Sequence, residues 1–399
     1  MAPTTLTTII VFHSYPQKPC IDGLLAAIIA TWIYQKSSSK VHLVPYWRTQ
    51  KSFEKLKQTV EETKALEGSG KQQIVYVDCT PDLEEEIDYL EEIVGEIPVT
   101  VYDHHRMRDD APVQRLENKE NFKFQFDAIN CAAKMMYKLM LEKGLKAKYD
   151  IEDLLTIVQF SEYEGMNFNV AGKVEAEKIT KTALRRAMNP SNEELLKRVE
   201  NIDMSLFYVL DQVLTDEKDW KFFGDVSLTS GEVFNKFEIQ SQSYLERSSL
   251  ILSGQDNDVY SADKLTAYLD LMDKLPCVLA AGKVIENVKI ADQIVNVLAM
   301  NINIFDYGRS LEPMVVSELQ KRRASYAILM NNPTTNAKTG AMSYYFSLRR
   351  ADEAFSARDL AFYLLDLTGS KIGGGHPWAS GVTLNEEQYE KYSKDFLQQ

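Results

Sequence analysis

Residues 72–105 read QQIVYVDCTPDLEEEIDYLEEIVGEIPVTVYDHH: a short β-rich run, an amphipathic helical pattern, and a second β-rich run ending in an aspartate and two histidines. Thr80, Pro81 and Asp82 predict the helix start, with a capping hydroxyl, a proline at the first helical position and a carboxylate near the positive helix end. Asp78 then closes one strand, and Asp103, His104 and His105 close the next. In open α/β sheets the carboxyl ends of the strands form the edge where ligands bind.

The alternation extends outward. TTIIVFHS (7–14) precedes DGLLAAIIATWIYQK (22–36), and KVHLVPYW (40–47) precedes FEKLKQTVEETKALE (53–67). Strand followed by helix, repeated, predicts a parallel sheet covered on both faces. The helix at 23–35 is apolar nearly all round, so it is expected to be buried. Helical patterns follow at 129–144, 151–165, 173–188, 192–214 and 233–252, the last expected to bridge two domains. Strands return at 294–300, 325–331 and 342–350, with a helix at 357–367 and the glycine cluster KIGGGHPWASGV at 371–382. The expected fold is α/β: an N-terminal parallel-sheet domain (1–190), a helical connector (191–265) and a smaller C-terminal α/β domain with a mixed sheet (266–399).

With 45% hydrophobic and 26% charged residues over 399 positions, the chain can bury a full core and reads as an ordinary soluble protein. The start MAPTTLTTIIVFHS has no basic leader region, and no long apolar run follows, so a cytosolic setting without a membrane anchor is expected. Cys20, Cys79, Cys131 and Cys277 form no CxxC pair, which argues against a zinc finger or a disulfide framework. A formal charge of −13 disfavours a broad surface for tracking long nucleic acid, because such binding rests on many Lys and Arg contacts. A small anionic ligand in a local positive pocket remains compatible with it.

Three strands end in groups that bind cations: His13 after IIVF, Asp78 after VYV, and Asp103, His104 and His105 after TVY. A fourth carboxylate, Asp22, opens the buried helix that returns from the first strand, which predicts that it lies near His13. Imidazole and carboxylate together suit manganese, iron or zinc, and oxygen-rich positions favour magnesium or manganese. Each residue alone has an ordinary structural role, Asp78 as a turn residue and His13 as a core histidine. Their convergence on one sheet edge is what points to a metal centre. Side chains alternate along a strand, so one of His104 and His105 is expected at the metal and the other facing substrate or a supporting position. In the C-terminal part, Gly373, Gly374 and Gly375 let backbone N–H groups approach a phosphate, with His376, Arg349 and Arg350 as further anion donors.

These motifs resemble, in order and over nearly the whole chain, the DHH phosphoesterase family with its DHH-associated domain: FH…CIDGLLAA, VYVDCTPD, YDHH, SLRR and GGGHPWASGV. The first motif is most similar to the branch written H-x-x-C-x-D-G, with His13, Cys20 and Asp22 in those places and Cys20 standing where other members have an aspartate. The resemblance implies one ion held by His13 and Asp78 and a second by Asp22, Asp78 and His104, with Asp78 bridging. Two departures stand out. Six residues separate His13 from Cys20 where the branch has about two, and the fourth motif, QFSEYEGM, offers Glu162 and Glu164 in place of an aspartate.

The resemblance implies a phosphoesterase that activates water with two divalent ions, Mn2+ expected and Mg2+ as the alternative. Catalytic roles fall to Asp78, His104 and His105; metal binding to His13, Asp22, Asp78, His104 and Glu162. Substrate binding falls to His105, Arg349, Arg350, Gly373, Gly374, Gly375 and His376, with Cys20, Asp103 and Glu164 unassigned. The expected substrate is a short oligonucleotide or dinucleotide, with no long duplex and no membrane partner, and a homodimer is compatible. The alternatives are a nucleotide- or protein-binding module without turnover, and a hydrolase of pyrophosphate or short polyphosphate.

Overall fold

The computed structural model describes residues 6–14, 19–38, 40–67, 71–105, 107, 111–159, 162, 217–225, 227–253, 280, 282–301, 319, 322–330, 333–335, 341–352, 354–377 and 379–398. The helices expected at 173–188 and 192–214, together with Glu164 and Cys277, lie outside the described residues. The chain divides into two compact units, the first built mainly from residues before 265 and the second mainly from those after.

In the first unit, β1 (Leu6–His13), β2 (Lys40–Tyr46), β3 (Lys71–Val77), β4 (Val99–Asp103) and β5 (Phe122–Phe126) form a parallel sheet in the order β2-β1-β3-β4-β5. The longer helices among the described residues are α1 (Ile21–Ser37), α2 (Gln50–Glu67), α3 (Glu84–Ile93), α4 (Ala132–Glu142), α5 (Glu152–Gln159) and α6 (Ser230–Ser253). Helix α1 is buried from Ile21 to Tyr34, as its apolar composition requires. Strand β5 is not evident in the sequence, where FKFQF is flanked by charged residues; it takes the sheet edge and leaves Phe126 partly exposed.

The helix at 233–252, expected as a bridge between domains, packs instead within the first unit. Phe237 of the helix and Phe223 of the turn Lys221–Gly224 before it lie 5.9 and 5.2 Å from the Phe12 ring, and His42 Nδ1 meets Ser230 Oγ at 2.9 Å. Its aromatic stripe needed a partner, and the face of β1 and β2 supplies one. His42, the one histidine outside the motifs, is therefore structural.

Helix α3 begins at Glu84, later than Thr80 predicted, with Leu83 at the cap position and no side-chain cap bond. The Thr80 hydroxyl is engaged elsewhere: it donates to Asp103 Oδ2 at 2.6 Å. Among the described residues no helix is long and apolar enough to cross a membrane.

The second unit contains β6 (Lys283–Ile290), β7 (Gln293–Asn301), β8 (Tyr326–Met330), β9 (Thr334–Thr335), β10 (Met342–Arg350), β11 (Gly373–Gly375) and β12 (Ala379–Asn385), with helices α7 (Ala357–Thr368) and α8 (Glu386–Asp395). The sheet runs β11-β12-β10-β8-β7-β6, with β9 beside β10; β7 and β8 are parallel and the other pairs antiparallel. Phe346, Leu348, Val382 and Leu384 pack against Leu360 and Leu364 of α7 and Tyr392 and Phe396 of α8. Strand β6 also escaped the sequence reading.

Candidate metal centre

The carboxyl edge of the first sheet gathers the ionisable groups. Asp78 follows β3 with φ +59, a left-handed conformation that asparagine and aspartate tolerate better than other side chains. Its carboxylate sits between two histidines: Oδ2 lies 3.2 Å from His13 Nδ1, and Oδ1 lies 3.1 Å from His104 Nε2. Asp22 Oδ2 is 3.4 Å from the same His104 nitrogen. Asp22, Asp78 and His104 are buried, and His13 is 16% exposed.

Gly23 makes this convergence sterically feasible. A Cβ there would stand 2.2 Å from the His13 carbonyl oxygen and 3.1 Å from Asp78 Oδ2. Without a side chain, α1 starts directly against the end of β1. The enlarged loop after His13 does not displace it, because an antiparallel bridge from Ser14 to Pro19 closes the loop at its base. Ligand atoms of His13, Cys20 and Asp78 all lie within 4.8 Å of one another, as do those of Asp78, Asp103, His104 and His105.

Asp22 also holds a distant element in place. Its Oδ2 accepts from Ala132 N at 2.9 Å and its Oδ1 from Ala133 N at 2.7 Å. The carboxylate thus satisfies two orphan donors at the start of α4. This role has no local sequence signal, since 110 residues separate the partners.

Asp103 plays a different part from Asp78. Its Oδ1 accepts from His104 N at 2.8 Å, His105 N at 3.2 Å and His105 Nδ1 at 2.7 Å, while Oδ2 takes the Thr80 hydroxyl. Asp103 orients the two histidines. The strand ends at Asp103, so strand alternation does not apply to the pair that follows: His104 Nε2 and His105 Nδ1 lie 3.1 and 3.9 Å from the same Asp78 Oδ1.

The electrostatics reveal an excess of buried negative charge. Burial pushes Asp22 well above the usual carboxylate range, and repulsion from Asp78 and Glu162 adds to this against the attraction of His104. Burial also opposes ionisation of Asp78, but hydrogen bonds from His104 and His13 outweigh it and hold the carboxyl well below that range. His104 is disfavoured as a cation by burial, yet its bond to Asp78 and the charges of Asp22, Asp78 and Glu162 raise it to about 9. Burial likewise opposes Asp103, and the His105 charge and hydrogen bond bring it down to about 2. A proton on His104 stands where the cluster lacks a cation, and imidazole with carboxylate is a donor set that divalent metals take, so the residues fit the ions they were expected to hold. Glu162 is half-buried and acts on both Asp22 and His104.

Beneath the edge lies a polar layer the sequence did not reveal. Arg48 Nε approaches Asp82 Oδ2 at 3.7 Å, and buried Glu86 accepts hydrogen bonds from the hydroxyls of Tyr46 and Tyr76. Burial raises Glu86 to about 8 against the effect of those two bonds. Cys20, Cys79 and Cys131 are buried and form no disulfide.

The groups expected in the C-terminal part belong to the second unit. Arg349 and Arg350 are neighbours on β10 and so face opposite sides of the sheet; both are buried. Arg349 Nη1 donates to Leu348 O at 2.7 Å and Arg350 Nη1 to Phe355 O at 3.0 Å. Arg350 also lines a cavity of about 430 Å³ with Ser356, Arg358 and Asp359. The glycine cluster is not a loose turn: Gly373–Gly375 form edge strand β11 against β12. At Gly375, φ +135 and an Ala379 oxygen 2.8 Å from any added Cβ leave glycine as the fitting residue. His376 N donates to Ala379 O at 2.8 Å.

No family model matches the sequence, and no curated protein matches it. Solved structures do match. A DHH-domain protein described as a member of a family of ribosomal proteins shares 12% identity over 98% of this chain and 86% of its own, with a TM-score of 0.50. An exopolyphosphatase-related protein from Bacteroides fragilis shares 12% identity over 99% and 92%, with a TM-score of 0.40. An uncharacterised protein from Helicobacter pylori shares 15% over 98% and 99%, with a TM-score of 0.32. The last two overlay too loosely to add to the first, and the first establishes architecture: this chain has the fold of the DHH family.

Proposed function

We propose that this chain is a divalent-metal-dependent phosphoesterase that hydrolyses a small phosphoester, a short oligonucleotide or dinucleotide. The observation that carries the reading is Asp78: a buried carboxylate with a histidine against each oxygen and Asp22 close by, at the ligand-binding edge of a parallel sheet. His13 and Asp78 would hold one ion; Asp22, Asp78, His104 and Glu162 would hold a second. When bound there, two divalent cations would supply Lewis-acid charge for a transferring phosphoryl group and would lower the pKa of water, so no dedicated basic side chain would be needed.

The chain's own groups do the remaining work. Asp103 fixes the ring of His105 through Nδ1, which turns Nε2 toward the position the substrate would take. Burial of Asp22, Asp78 and His104 keeps water away from their mutual contacts and strengthens them. To the second unit this reading gives substrate binding, through one of Arg349 and Arg350, which face opposite sides of the sheet, together with His376 and the backbone of Gly373–Gly375. The acidic chain, with a formal charge of −13, favours a small substrate over a long polyanion.

The test is a panel of short RNA, short DNA, cyclic dinucleotides and pyrophosphate, each with Mn2+, Mg2+ or chelator. Release of nucleotide monophosphate that needs Mn2+ or Mg2+ and disappears in Asp78→Asn is expected. Hydrolysis at the wild-type rate in that variant would overturn the reading.

A further inference from the structure

We propose that Cys20 Sγ is a ligand of the ion held by His13 and Asp78, giving that position a nitrogen, oxygen and sulphur donor set that takes Zn2+ or Co2+ in preference to Mg2+. The inference rests on the metal-centre reading above and adds to it a difference between the two positions.

Three observations carry it. The ligand atoms of His13, Cys20 and Asp78 lie within 4.8 Å of one another. Metal–sulphur and metal–nitrogen bonds of about 2.3 and 2.0 Å put tetrahedral ligands about 3.5 Å apart, so a small contraction around an ion completes the site. Cys20 occupies the cap position of α1, immediately before the helix that carries Asp22, and it is 4% exposed. The local fold also holds it there from both sides. The Ser14–Pro19 bridge closes the loop before it, and the bare Cα of Gly23 lets the helix start abut the His13 carbonyl.

The other buried thiols are placed differently. Cys79 Sγ faces the carbonyl oxygens of Val77 and Val11 at 3.5 and 3.7 Å, and Cys131, at the start of α4, bonds through its side chain to the Asp22 carboxylate, on the side of the second position. Neither belongs to the groups whose donor atoms converge. The second position draws on Asp22, Asp78, His104 and Glu162, a mainly oxygen set. Thiolate favours softer ions and carboxylate harder ones, so the two positions differ in the metal each prefers.

Cobalt spectroscopy on the full chain, stripped of metal, tests this without recourse to activity. Titration with Co2+ is expected to produce a near-ultraviolet thiolate-to-cobalt charge-transfer band that a large excess of Mg2+ leaves in place. Cys20→Ser should lose that band while keeping visible cobalt absorption from the oxygen-rich position, and Cys79→Ser and Cys131→Ser should retain it. Visible cobalt absorption without a charge-transfer band in the wild-type chain overturns the proposal, as does a band that survives Cys20→Ser. The wild-type titration decides even where a variant folds poorly. Either adverse result with metal-dependent turnover intact leaves the phosphoesterase reading standing; an intact band with no turnover on any substrate overturns that reading and spares this one.

Discussion

The two sheets of this protein handle charge in opposite ways. In the first unit every strand points the same way, so the carboxyl ends of β1, β3 and β4 deliver His13, Asp78 and Asp103 to one edge. In the second unit the strands around β10 are antiparallel, and its two terminal arginines face opposite sides of the sheet. A parallel sheet collects chemistry from residues far apart in sequence; a mainly antiparallel one spreads neighbouring residues over two faces. Substitutions at the convergent edge should therefore be non-additive and severe, and those on β10 separable and mild.

Asp78→Asn tests the convergence most directly and has the largest expected effect. The amide keeps the shape but removes the charge that both His13 and His104 face. Turnover on the substrate panel should fall to background and bound metal should be lost in dialysis, whereas Arg349→Ala should raise KM with kcat nearly unchanged. Equal losses in the two variants would break the contrast between the sheets.

Gly23→Ala comes next, since it attacks the packing that brings the edge together. The added Cβ meets a backbone oxygen at 2.2 Å, which no rotamer change relieves. Overpacking of this kind costs about 1–3 kcal/mol. Thermal unfolding should shift down, and metal affinity should fall with it because α1 also carries Cys20 and Asp22.

Thr80→Val then asks whether Asp103 needs its anchor. The substitution keeps the volume and deletes the 2.6 Å hydrogen bond to Asp103 Oδ2. Supporting groups of this kind are worth about 10–100-fold in metal affinity or activity. That loss is expected, with rescue by Thr80→Ser; wild-type kinetics in Thr80→Val would mean that the bonds from His104 N and from His105 hold Asp103 without it.

What could be read from the sequence follows the same division. His13, Asp78 and His104 were legible because a strand–helix repeat fixes which end of each strand meets the ligand edge. Thr80 was misread as a helix cap because Thr-Pro-Asp is a good local start signal, and only Asp103, a residue on another strand, reveals the competing bond. The capping of α4 by Asp22 and the packing of α6 on β2 were invisible for a related reason: an amphipathic pattern shows that a face is buried without showing against what. Strand β5 was missed because its outer face is partly exposed and its flanks are charged.

Glu86 gives the smallest expected effect on turnover, and it separates the catalytic edge from the polar layer beneath. Its carboxyl is buried, lifted to about 8 from an ordinary 4.5, and accepts from Tyr46 and Tyr76 rather than from any metal-centre residue. Because the folded chain holds this proton more tightly than the unfolded chain, its contribution to stability is fully present below pH 4.5 and is lost as pH rises through about 8. One such proton gives a slope of up to about 1.4 kcal/mol per pH unit within that window. Glu86→Gln has no proton to lose, and its amide can accept from one tyrosine while donating to the other. The difference in unfolding free energy between wild type and variant, followed by denaturant titration of the metal-free protein from pH 5 to 8, should therefore grow steadily in favour of the variant. Metal-dependent turnover at pH 6 should match the wild type. A pH-independent difference would mean that Glu86 is already ionised in the fold, and a loss of turnover would mean that the polar layer and the catalytic edge act as one unit.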